Sequence, residues 1–101
     1  MATSKLKSPE GDRLAAAFLA LRTEEDCYML FEDLFTIREV QDLGRRLQEA
    51  KMLTEGATYT RIVEETGVST ATIGRVNRAL SYGAGGYQLV LPSLQSGEEG
   101  Q

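Results

Sequence analysis

The sequence predicts an all-α fold of short helices around one long central helix. Three features carry that reading. Apolar residues recur every three or four positions between Leu14 and Leu80, a serine or threonine opens four of the periodic runs, and glycines fall where runs end. Ordered structure is expected over residues 9–91, between a flexible start at 1–8 and a disordered tail at 92–101 that has nothing to bury.

In "SPEGDRLAAAFLALR", Ser8 is placed to cap a helix, Pro9 takes its first position and acids fill its first turn. Leu14, Phe18 and Leu21 follow at helical spacing, which predicts a helix near 9–22. Thr23 then caps "EEDCYMLFEDLF", whose three opening acids suit the positive end of a helix dipole. Leu30, Phe31, Leu34 and Phe35 form its apolar stripe.

Thr36 and Glu39 make a Thr-x-x-Glu capping box, which opens the longest periodic segment. Val40, Leu43, Leu47, Ala50 and Leu53 line one face there, read as core, and Gly56 closes the helix. Two short helices follow: "TYTRIVEET", ending at Gly67, and "TATIGRVNRALS", capped by Ser69. "GGYQLVL" reads as extended or irregular, packed on another part of the protein or on a partner chain.

At 101 residues the chain makes one small domain. Folding at this size buries only ~60–70 % of the unfolded surface, so a second chain often completes the core. Cys27 is the only cysteine and reads as a small buried apolar residue. Histidine is absent, which removes the commonest general base and metal ligand. The remaining acid/base candidates for an enzyme, such as Asp33, Glu39 and Asp42, read as solvated, so no catalysis is expected. No apolar run reaches the ~20 residues of a membrane span. The N-terminus lacks a secretory signal, and a cytoplasmic location is expected.

The net charge of −4 hides a gradient: residues 1–57 carry −3, residues 58–80 carry +1 and the tail carries −2. "GVSTATIGRVNRAL" holds two arginines and no acid. Local field, more than the total, steers a polyanion.

That segment fits the second half of a helix-turn-helix. Such a motif needs a bracing helix, a glycine turn and a reading helix with small polar side chains. Ile62, Val68, Ile73 and Val76 are spaced to form the small core between the helices, and Gly67 makes the turn. Ser69, Thr70, Ala71 and Thr72 give an exposed first turn able to approach phosphates and base edges. Arg75, Asn77 and Arg78 offer guanidinium and amide groups to phosphate, guanine or adenine. Gly74, costing about 1 kcal/mol mid-helix, suggests close approach of another backbone, a base or a ligand. The expected contacts to double-stranded DNA are Thr60, Ser69, Thr70, Ala71, Thr72, Gly74, Arg75, Asn77 and Arg78, with Thr58 and Arg61 near phosphate. The bland alternative is a helical hairpin with a solvated polar face. DNA-binding turns often carry alanine where this chain has Val63. A different class of function, a protein-interaction or assembly module, is favoured by the acidic first half and the apolar "YQLVL".

The block from "FTIREVQDLGRRL" through "GVSTATIGRVNRAL" resembles the tryptophan repressor family, and within it the YerC/YecD-like branch. The most specific pieces are Thr36, "LGRR" at 43–46 and "ATIGR" at 71–75. The resemblance implies an intertwined homodimer whose two reading helices meet a near-palindromic operator as a transcriptional regulator, most readily a repressor. It also implies a ligand pocket at Thr36, Arg46, Thr72, Arg75, Val76 and Ala79. Two positions depart from the family pattern. Val76 replaces a glycine where an indole would lie, and Ala79 replaces a serine that helps hold an amino group. Loss of a polar partner together with added bulk predicts DNA binding without tryptophan dependence. Thr36, Arg46 and Arg75 then either serve another small carboxylate or form a structural polar cluster.

Overall fold

The computed structural model describes residues 4–94, and among these it holds six α-helices, one 3-10 turn and no strand. The chain divides into two compact units, residues 1–38 and 39–101.

In the first unit, α1 spans Pro9–Leu19 and α2 spans Glu24–Leu34. Both caps are those the sequence predicts: Ser8 Oγ accepts from Gly11 N–H, and Thr23 Oγ1 accepts from Asp26 N–H at 3.0 Å. α1 stops three residues before the expected Arg22, at a turn where Asp26 accepts from the Arg22 N–H at 3.0 Å. Residues 4–8 form a turn closed by Lys7 N–H on the Ser4 carbonyl, with Lys7 paired to Asp12. Tyr28, Phe31 and Phe35 meet edge to face at 5.9 Å along α2. None of the described residues in this unit is fully buried: Leu14, Phe18, Tyr28, Met29 and Leu34 are all exposed. α3 spans Ile37–Thr54, beginning at the residue after Thr36.

The second unit holds the rest of α3, then α4 (Tyr59–Thr66), α5 (Thr70–Tyr82), α6 (Gly86–Val90) and a 3-10 turn at Leu91–Ser93. Its core has two parts, divided along α3. Met52 packs with Ile62 of α4 and Ile73 of α5, flanked by Leu53, Ala57, Val63 and Val68. Ala50 packs with Val76 and Leu91, flanked by Leu47, Leu80, Tyr87 and Leu94. Val76 thus leaves the inter-helix core predicted for it and joins α3 to the C-terminal segment. The expected α3 stripe is core only in its second half, since Leu43 is exposed.

"GGYQLVL" is helical, correcting the extended reading. Gln88 Nε2 donates to the Leu80 carbonyl at 2.9 Å, and Tyr87 and Leu91 are drawn onto the core. Long-range packing outweighs the poor local propensity of a glycine-led, β-branched run. Leu94 packs inward behind the 3-10 turn, against the Ala50 cluster. Expectations for residues 1–3 and 95–101 lie outside the described residues.

Two glycines fix the frame of α5. Gly67 ends α4 at φ 77°, a left-handed backbone that a side chain would strain. At Gly83, just past α5, a β-carbon would collide with the Ala79 carbonyl.

Candidate nucleic-acid interface

Thr58 caps α4 by accepting from Arg61 N–H at 3.1 Å, and Ser69 caps α5 by accepting from Thr72 N–H at 3.2 Å. Three residues, Gly67 to Ser69, join the two helices. Ile62 and Ile73 lock the helices together, so the first turn of α5 is placed by a rigid corner and not by a loop.

At 3.6 residues per turn, the side chains of α5 sort into three faces. Ile73 and Val76 point into the core, with Leu80 half-buried beside them. Thr70, Ala71, Arg75 and Arg78 are exposed on the outer side, along with Ser69 at its head. Gly74 lies among them, and a β-carbon there would meet nothing within 4 Å. The close neighbour the sequence suggested for this glycine is therefore not within the chain. Among the described residues, neither Arg75 nor Arg78 is paired with a carboxylate.

Other expected contacts are already engaged. Arg61 Nε lies 3.0 Å from Glu65 Oε2, which compensates its charge in an exposed pair of small worth. The Thr72 hydroxyl lies 3.2 Å from Ser69 Oγ and is half-buried. Asn77 Nδ2 donates to Tyr59 Oη at 3.2 Å. Thr60 is exposed on α4.

On the other flank of α5 lies a recess of about 380 Å³ lined by Arg46, Thr72, Arg75, Val76, Ala79 and Tyr87. Five of the six predicted pocket residues therefore converge; Thr36 is not among the lining residues. Val76 is only 4 % exposed and forms the floor, and Ala79 adds no polar atom. Tyr87 was missed because the segment carrying it was read as irregular. Its one sequence signal is an aromatic residue followed at i+4 by Leu91, the spacing of a helix that buries one side.

Just behind Arg45 and Arg46, Glu49 is 1 % exposed, and its Oε1 lacks a hydrogen-bond partner among the described residues. Burial pushes its carboxyl above the ordinary glutamate range, against the pull of Arg45 and Arg46. Sequence reasoning passed over this residue, since a glutamate on a long helix is normally solvated.

The described residues define a helical protein in which a capped helix presents cations and hydroxyls outward. The sequence pattern of the Trp repressor protein family matches residues 10–95. The uncharacterised protein YerC of Bacillus subtilis (strain 168) is 47 % identical over 98 residues, spanning 97 % of this chain and 94 % of YerC. A TrpR-like protein from Eubacterium eligens ATCC 27750 has a solved structure similar to this one, with a TM-score of 0.83 and 48 % identity. That match covers 89 % of this chain and 93 % of the other. A candidate Trp repressor from Staphylococcus aureus gives a TM-score of 0.82 at 46 % identity, over 89 % of this chain and 90 % of that one. The chain belongs to the Trp repressor family, a family of DNA-binding regulators, not enzymes. Among the described residues no helix is long and apolar enough to cross a membrane.

Proposed function

We propose that this protein is a sequence-specific transcriptional regulator, acting as a repressor, which binds a near-palindromic operator as a homodimer through α4 and α5 as a helix-turn-helix. The observation that carries the reading is the outer face of α5: exposed, free of acids, with an open glycine and two arginines that pair with no carboxylate among the described residues. Dimerisation is supported by the first unit, in which Leu14, Phe18, Tyr28, Met29 and Leu34 are exposed among the described residues. A cytoplasmic site of action follows from that role.

Operator recognition is proposed to be independent of tryptophan. Val76 fills the floor of the recess, and Ala79 offers nothing to an amino group, while Arg46 and Arg75 suit a small carboxylate. Calorimetry with free tryptophan should show no binding below the millimolar range; micromolar affinity would reject this part.

Selection of bound duplexes from a random pool tests the whole. Enrichment of a palindrome with half-sites about one helical turn apart is expected. Retention of no DNA at low salt would favour a protein-interaction module.

A further inference from the structure

We propose that Tyr59 is a specificity-determining partner of Asn77, and that the pair reads an A·T base pair in each half-site. The inference rests on the regulator reading above.

Asn77 stands at the boundary between the buried and outer faces of α5, on the flank away from the recess. Its neighbour across that boundary is Tyr59, the first residue of α4, which is 37 % exposed. The Asn77 Nδ2 to Tyr59 Oη hydrogen bond, 3.2 Å long, joins two residues 18 apart in sequence. Both groups are at the surface, where such a bond adds little to folding because water would replace it. Its consequence is orientation. One amide proton is committed to the phenol oxygen, which fixes the plane of the carboxamide and the way its oxygen points.

What remains uncommitted matches adenine. A carboxamide reads the major-groove edge of adenine with one acceptor toward N6 and one donor toward N7. Asn77 keeps its oxygen and its second amide proton for these. Tyr59 accepts from Asn77 through its oxygen, so its own hydroxyl proton is left to donate to a phosphate. A freely rotating asparagine could present either edge; one held by Tyr59 presents a single pattern.

The test is selection from a random duplex pool with the wild-type chain, Tyr59→Phe, Asn77→Ala and the double variant, followed by affinity for the selected site and single-base changes. Tyr59→Phe keeps the ring and removes the acceptor, and thermal melting checks that each variant is folded. The wild type should enrich a site with a fixed A·T pair. Tyr59→Phe should lose roughly tenfold of the preference at that pair alone, with the salt dependence reduced by no more than one phosphate contact. Asn77→Ala should lose it as well, and the double variant should lose no more than Asn77→Ala. Preference retained within about twofold in Tyr59→Phe, or losses that add in the double variant, would overturn the pair while leaving the regulator reading intact. A wild type that enriches no site would bring down both.

Discussion

The two units of this chain treat their apolar residues in opposite ways. Residues 39–94 close a core around Ala50, Met52, Ile62, Ile73, Val76 and Leu91, whereas among residues 4–38 no side chain is fully buried. Composition does not explain this, because α1 and α2 carry leucines, phenylalanines and a tyrosine at helical spacing. The second unit closes a core of its own although Tyr82 and Leu89 stay exposed, whereas the apolar side chains of the first are at most half-buried among the described residues. The proposed homodimer places the second copy against them, and gives the two reading helices a fixed separation.

The sharpest way to break the contrast is to charge the open faces. Phe18→Asp combined with Leu34→Asp should turn the protein monomeric in sedimentation at micromolar concentration. Operator affinity should fall by about 100-fold or more as the two reading heads lose their linkage. A variant that remains dimeric would show that these helices do not form the seam.

Next in size, Ile62→Ala should cost about 2–5 kcal/mol in urea unfolding, since it empties the fully buried contact between α3, α4 and α5. Leu34→Ala, measured at concentrations too low for association, should cost only about 0.5 kcal/mol. Equal costs would erase the distinction between the units.

A smaller effect separates folding from reading. Gly74→Ala places a methyl group in open space, so it should raise stability by up to about 1 kcal/mol. The same methyl should weaken operator binding about tenfold if the helix approaches base edges as closely as proposed. Stabilisation without loss of binding would mean that the outer face of α5 never reaches the groove.

The smallest effect is a pH dependence. The Glu49 carboxyl has a higher pKa folded than unfolded, so the folded state holds its proton more tightly. Stability from this group is fully present below the unfolded pKa and is lost as pH rises through the folded one. Glu49→Gln should remove that loss from denaturation curves taken across the mildly acidic range. An unchanged slope would place the carboxyl in water.

Much of this arrangement is legible in the sequence because it is local. Ser8, Thr23 and Ser69 announce three helix starts, and Gly67 marks the turn, since capping and left-handed geometry depend on a few adjacent atoms. Five residues of the recess are also identifiable, carried by the family resemblance rather than by their spacing. What escapes is set at long range. The helix over Gly86–Val90 exists because Leu91 and Tyr87 find the Ala50 cluster, and apart from their i,i+4 spacing nothing local announces it. The exposure of Leu14 and Phe18 is equally invisible, because an amphipathic stripe does not say whose core it enters. Glu49 is buried by its position on α3, against the habit of its type.

The collision that forbids any residue but glycine at position 83 sits one step beyond the reading helix, whereas the exposed outer positions of that helix carry little of the fold. Constraint and vocabulary are therefore kept apart. If the proposed operator reading holds, Thr70, Ala71 or Asn77 can change with little cost to the fold, while position 83 stays fixed as glycine. On that reading, a change of target sequence would leave the architecture of the helix pair intact.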